Sequence, residues 1–367
     1  MEAGKKESGQ IEVLARFRKS WFPPAAVAGA LASFVAAAFR SAPAPRPRPQ
    51  PAASPQPLVQ LDPTSRPPQK LDREYILSGV LGGETSAHPF RRSLAGISIG
   101  SADRIFALGD EEVRIFRPGG EFIRGWKVPA EAMCLAVGMG ERVYLGGPGR
   151  VEIYDVAGSR IGGFPAGEKD QSAAITAVKV FRDEVLLADA SARCIRRYDM
   201  NGLHLGVVGT KNKTGSFMLP NRWLDFDVDA KGVIRATDTG RHLVTAWALG
   251  GSPLGAFGKF GMSDPSDFVG CCNPVNLALT PDGKIVTGEK MVARVKVYEP
   301  DGRLLALIGP ENFDPNCVHI YLAVDSKGRI LAGDPVRRVV KIFSPAVKVG
   351  EYPGPGAARI SSESERV

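Results

Sequence analysis

Residues 284–302 read KIVTGEKMVARVKVYEPDG. An apolar run, KIVTG, ends in a carboxylate at Glu289, and a second run, VKVY, ends at a Pro-Asp-Gly turn. Both runs are built of β-branched and aromatic residues in near alternation, the signature of short strands whose two faces are both covered. The same scheme recurs. Second strands of equivalent form are RIFALG (104–109), RVYLGG (142–147), EVLLAD (184–189), VIRATD (233–238), KIVTGE (284–289) and RILAGD (329–334). Anchored on Ile105, Val143, Val185, Ile234, Ile285 and Ile330, the repeats are spaced by 38, 42, 49, 51 and 45 residues. Third strands follow as VRIF, VEIY, IRRY, VTAW, VKVY and VKIF, and pairs such as Lys231-Gly232, Asp282-Gly283 and Lys327-Gly328 suit tight hairpins.

A four-stranded unit cannot bury both of its faces alone, whereas six units stacked radially cover one another. The fold class expected is all-β, a six-bladed β-propeller over 70–347, preceded by one N-terminal transmembrane helix and a Pro-rich linker. The last repeat has only three strands of its own before Ser344-Pro345, and EYILSGVLG at 74–82 resembles the fourth-strand pattern LLALIGP at 304–310. Tyr75 to Leu81 is therefore expected to complete the last blade; Val347 to Tyr352 is the alternative.

The chain has 367 residues and a net charge of +8. Residues 1–68 hold nine Lys/Arg against four Asp/Glu, or +5, leaving 38 against 35, or +3, for the rest. A propeller so nearly neutral, with no basic run longer than two residues, offers no clustered face for phosphates, and nucleic acid is excluded as a partner. The stretch Trp21 to Phe39 carries no charge across 19 residues, long enough to cross a bilayer, and five basic residues precede it. It predicts a cytoplasmic segment at 1–20, a signal-anchor span at 21–39 and an extracytoplasmic body. Cleavage after Ala36-Ala37-Ala38 as a signal peptide is the competing reading. From Pro43 to Pro68 ten of 26 residues are proline, so 40–69 reads as an extended spacer reaching about 80 Å. Residues 348–367 read as a disordered tail. The implied location is the cytoplasmic or inner membrane, single-pass, with the propeller facing the periplasm or extracellular side and a protein partner in the cell envelope.

The segments GEKMVARVKVYEPDG (288–302), TDTGRHLVTAWALGG (237–251), ADASARCIRRYDMNG (188–202) and GDPVRRVVKIFS (333–344) resemble the NHL-repeat family of six-bladed propellers, whose repeats carry an acidic loop leading into an R-V-x-V-F/Y strand. The likeness covers about 90–345. Glu289 replaces the usual Asp, Cys194 and Leu243 stand at the Arg position, and the first two blades have short loops. With GCCNP at 270–274, the chain is also similar to bacterial exported NHL-repeat proteins. The resemblance implies a rigid rim for protein or ligand binding. It also raises a metal-dependent lactonase- or lyase-like enzyme: lyase members use several histidines at the inner mouth, where only His319 aligns here, and lactonase-like members use carboxylate and Asn, for which Asp225, Asp227, Asn273 and Asn276 are the candidates. No catalytic residue is assigned.

Cys272 and Cys317 each lie five residues before equivalent first-strand positions, Leu277 and Leu322. They are expected at one mouth of the channel with Cys271 and His319. That set admits a thiolate-bound metal or iron-sulfur centre, a disulfide as Cys272–Cys317 or Cys271–Cys272, or buried free thiols. Asn221, Asn273, Lys290 and Arg294 are the expected ligand or partner rim. Cys134 and Cys194 fall inside strand patterns and read as core. The carboxylates Asp189, Asp238, Glu289 and Asp334 recur at one position, which points to a shared structural task. Gly96-x-Ser98-x-Gly100 fits a nucleophile motif but lies within a strand, so no nucleophile is assigned to it.

Overall fold

A computed structural model describes residues 71–168, 171–209 and 216–346. All of them fall in the unit Arg66–Val367; the expected cytoplasmic segment, membrane span, Pro-rich spacer and tail lie outside the described residues. Among the described residues no helix is long and apolar enough to cross a membrane.

Six four-stranded antiparallel sheets form the blades of a propeller. Blade 1 runs Gly96–Ile99, Ile105–Gly109, Glu112–Phe116 and Phe122–Lys127; blade 2 runs Cys134–Val137, Val143–Gly147, Arg150–Tyr154 and Arg160–Pro165. Blade 3 runs Ile175–Phe181, Glu184–Asp189, Cys194–Asp199 and His204–Val208; blade 4 runs Phe226–Val228, Val233–Asp238, Leu243–Ala248 and Pro253–Phe257. Blade 5 runs Asn276–Leu279, Ile285–Glu289, Arg294–Tyr298 and Leu304–Ile308. Blade 6 takes Tyr321–Val324, Ile330–Asp334 and Val339–Pro345 from the end of the chain and its outer strand, Tyr75–Gly82, from the beginning. Tyr75 pairs with Pro345 and Gly82 with Val339, with one bulge between Leu77 and Gly79. The ring closes where the sequence predicts, one residue beyond Leu81. A small hairpin, Gly167–Glu168 with Gln171–Ser172, is an addition the repeat pattern does not contain.

The core is not central. It is divided into six apolar layers, each between two neighbouring blades. Period-two alternation explains this division. In blade 1, Ile105 and Ala107 face blade 6, while Phe106 and Leu108 on the same strand face blade 2. All five residues of that strand are buried, which is why the second strands read as unbroken apolar runs. Each fully buried aliphatic side chain contributes about 1.5–3 kcal/mol through the hydrophobic effect.

The recurring carboxylates tie down the loop that enters each blade. Asp110 accepts from the backbone N–H groups of Arg91, Arg92 and Ser93; Asp189 from Ala174, Ser191 and Ala192; Asp238 from Met218; Glu289 from Val269; Asp334 from Asp314, Val336 and Arg337. Several also hold a basic residue: Arg114 on Asp110, Arg196 on Asp189, Arg241 on Asp238, Arg294 on Glu289. The shared structural task is thus loop anchoring. Blade 2 is the exception, with Gly147 at the carboxylate position and a buried Glu152 two residues into its third strand, held by Arg150 and by the Tyr154 hydroxyl at 2.8 Å.

Candidate binding site at the channel mouth

The innermost strands converge on the axis and leave a cavity of about 40 Å³, lined from every blade by residues that include Ile97, Cys134, Lys179, Trp223, Asp225, Asn276 and Tyr321. That volume holds a few waters at most. Its carboxylate, amide and ammonium groups satisfy one another. The Asn276 amide donates to Asp225 Oδ2 at 2.9 Å, and the backbone N–H groups of Leu277 and Phe226 add bonds of 3.1 and 2.9 Å. Lys179 Nζ lies 3.4 Å from Asp227 Oδ2. Burial pushes the Asp225 carboxyl up to about 6, against the opposing pull of the Lys179 charge and these hydrogen bonds. Burial also works against the Lys179 ammonium, but Asp227 and Asp225 outweigh it and hold its pKa above the ordinary lysine value.

At the mouth where the inner strands begin, the groups are not all satisfied. The rings of Trp223 and His319 lie against each other, tilted by 38° with centroids 4.0 Å apart, and Tyr321 lies 6.1 Å from His319 and 6.4 Å from Trp223. Three buried polar atoms here have no hydrogen-bond partner among the described residues: Asn221 Nδ2, Trp223 Nε1 and His319 Nδ1. Trp223 is only 8% exposed. The other end of the Asn221 amide is fixed, its Oδ1 accepting from the Thr239 hydroxyl at 2.9 Å, so the free Nδ2 has a defined direction. Burial against the indole, with a smaller contribution from the Lys290 charge, pulls the His319 imidazole down to about 4, so it is neutral at physiological pH.

Lys290 follows Glu289, the anchor of blade 5, and its backbone N–H donates to Asn273 Oδ1 at 2.9 Å. Asn273 returns bonds from Nδ2 to the carbonyls of Lys290 and Val269 and is fully buried. Of the four expected rim residues, Asn221 and Lys290 belong to this mouth, whereas Asn273 is turned inward as a loop brace. Arg294 is also turned inward, bonded to both Glu289 oxygens at 3.1 Å and to the Asp267 carbonyl. Beside it Lys296, with no exposed surface, reaches Glu289 at 2.7 Å and two carbonyls, and burial drags its ammonium down to about 8 despite that carboxylate.

The cysteine set divides. Cys271 and Cys272 stand with their sulfurs 2.9 Å apart. Burial and the hydrogen bond shared with Cys271 raise the Cys272 thiol above its ordinary range, with the Lys290 charge opposing. Cys317 occupies the equivalent register in blade 6 but gives its thiol to the Asp334 carboxylate at 3.1 Å, which with burial pushes it up to about 12. A thiol held that firmly as a neutral donor is a poor metal ligand. Among the described residues no group of three or more His, Cys, Asp or Glu is placed to hold a metal ion, so the residues of the expected thiolate centre do not fit one common ion. The histidines are likewise dispersed: His88 stacks on Phe122, His204 meets Tyr198 edge-on, and His242 Nε2 bonds the Gly270 carbonyl at 2.8 Å. Among the described residues no cysteine is in a disulfide, and Cys134 and Cys194 are buried as expected. Trp223 was not legible as a site residue, because a tryptophan before an apolar strand reads as core.

No protein-family model matches the chain, and no curated protein matches it. Solved structures do. A structural-genomics protein of unknown function from Bacteroides thetaiotaomicron superposes with a TM-score of 0.55 at 14% identity, covering 75% of this chain and 76% of that one. A streptogramin B lyase gives 0.51 at 12% identity, with 70% and 80% covered. A chain of the mitotic checkpoint complex gives 0.51 at 10% identity, with 74% and 94% covered. At these identities the likeness shows a shared β-propeller fold and nothing of its use.

Proposed function

We propose that this protein is a binding module in which the propeller serves as a rigid scaffold and the Asn221–Trp223–His319 mouth receives polar groups of a protein partner. The observation that carries this reading is the cluster of unpartnered buried nitrogens at that mouth. A buried donor without an acceptor costs about 1–3 kcal/mol, and turning these side chains outward onto a partner's carbonyl or carboxylate oxygen would recover it. The axial cavity holds only a few waters, so recognition at this end of the channel falls on the rim. Lys290 adds a positive charge beside the donors and favours an acidic group in the partner.

Selection of displayed random peptides against the purified protein tests this. Acidic peptides should be recovered whose affinity falls about tenfold or more in Asn221→Ala and Trp223→Phe, the loss expected for one desolvated hydrogen bond. Peptides whose affinity is unchanged in both variants, while each variant keeps its melting temperature, would overturn the assignment.

Two finer readings belong with it. Kinship to NHL-repeat proteins is supported by the acidic loop leading into a β-rich third strand in blades 3 to 6, with the R-V-x-V-Y form complete in blade 5. Tethering through Trp21 to Phe39, with the propeller outside the inner membrane, is supported by the uncharged span and the basic residues before it. In bacterial cells, protease added to spheroplasts should digest the propeller while a cytoplasmic marker survives; equal protection of the two would end the tethering proposal.

A further inference from the structure

Cys271 and Cys272 are brought together by their backbone. Cys272 has φ of +64°, a left-handed conformation uncommon outside glycine, and Gly270 before it has φ of +75°. The loop is pinned on all sides: the Gly270 carbonyl by His242, Val269 N–H by Glu289, and the Asn273 amide by Lys290. The Cys271 N–H points to Met291 Sδ at 3.4 Å. This frame sets the two sulfurs 2.9 Å apart, closer than non-bonded contact, and the backbone N–H of Asn221 approaches Cys272. Cys271 is exposed, whereas Cys272 is buried behind it.

We infer that Cys271 and Cys272 form a thiol–disulfide exchange site for low-molecular-weight disulfides, in which the exposed sulfur attacks first and the buried one resolves. The Cys271 thiolate attacks one sulfur of R–S–S–R, the S–S bond breaks, and RS⁻ leaves and takes up a proton. The Cys272 thiolate then attacks Cys271 Sγ, breaks the mixed disulfide and expels the second RS⁻. In sum the protein dithiol loses two electrons and two protons, and one R–S–S–R becomes two RSH. Adjacent Cα atoms lie about 3.8 Å apart across a trans peptide, below the usual disulfide span, so the product ring is strained and readily reduced again. Cys317 cannot replace Cys272 as the resolving thiol while it is bonded to Asp334. The inference is independent of what the rim binds.

The test uses the reduced full-length protein and dithionitrobenzoate as the disulfide. The native protein should release two equivalents of thionitrobenzoate per chain, and the peptide holding residues 271 and 272 should be lighter by two hydrogens, with no adduct retained. Dithiothreitol should restore both thiols. Cys272→Ser should release one equivalent and keep the adduct on Cys271, which decays at least about a hundredfold more slowly than in the parent, since the resolving thiol acts at high effective concentration. A stable adduct on Cys271 of the parent protein, or a disulfide mapped to Cys317, would overturn the proposal. The parent's peptide mass decides the matter even if the variant does not fold.

Discussion

At the residue scale, the burial of ionisable groups makes the sharpest demands. His319 is held near 4 against an ordinary value near 6.5, so the folded state binds fewer protons than the unfolded chain between those limits. Its contribution is fully present above about pH 6.5 and is lost as pH falls toward 4, amounting to roughly 1–3 kcal/mol after allowance for its partial exposure. Asp225 works in the opposite direction: with its pKa raised, its contribution is present at low pH and fades as pH rises through about 6. The difference in unfolding free energy between the parent and His319→Phe isolates the imidazole and should shrink steadily from pH 7 to pH 4; a difference independent of pH would contradict a buried neutral His319. Glu289 is a second case. Its carboxylate lies 2.7 Å from the Nζ of the fully buried Lys296 and also holds Arg294 and the Val269 N–H. Glu289→Gln leaves a buried cation without its partner and should cost about 3–5 kcal/mol in denaturant unfolding, against under about 1 kcal/mol for an exposed charge such as Glu121. The anchoring role of Glu289 was legible from its recurrence in the repeat. Trp223 and Lys296 were not, because each owes its part to contacts brought by neighbouring blades.

At the scale of elements, the hairpin glycines divide into two kinds by what lies above them. Gly283 has φ of +83° in the first turn of blade 5 and open space where a Cβ would stand. Gly202 has φ of +88° in the last turn of blade 3, and a Cβ there would lie 2.4 Å from Phe164 Cβ in the outer strand of blade 2. Gly158 sits likewise under Trp126 of blade 1, and Gly302 under Phe257 of blade 4. Outer turns therefore double as blade-to-blade contacts. Gly283→Ala should cost only the left-handed backbone term, about 1–2 kcal/mol, while Gly202→Ala adds overpacking for about 2–4 kcal/mol in all. Equal losses in thermal unfolding would refute the packing account. The turns could be read from Asp-Gly and Lys-Gly pairs, since positive φ leaves a local mark; the aromatic above each glycine could not, since it belongs to a different blade.

At the scale of the whole molecule, the ring depends on a strand that precedes everything it closes. The six-fold count and the closing segment were legible because each repeat carries its own alternation and because the last is one strand short. The division of the cysteines was not, since equivalent register fixes where a residue stands but not which neighbour its side chain takes: Cys317 meets Asp334, and Cys272 meets Cys271. Closure is reinforced by Ser326, whose N–H and hydroxyl both bond Asp103 of blade 1 at 2.9 and 2.7 Å, and by Arg329 on the Pro118 carbonyl. Native-state hydrogen exchange of the strands Tyr75–Gly82 and Val339–Pro345 tests the closed ring most directly. The amides that pair these strands should exchange only through global unfolding, with the same denaturant dependence as the second strand of blade 5. Fast exchange across Tyr75–Gly82, with the other blades still protected, would contradict a ring latched by its own leading strand.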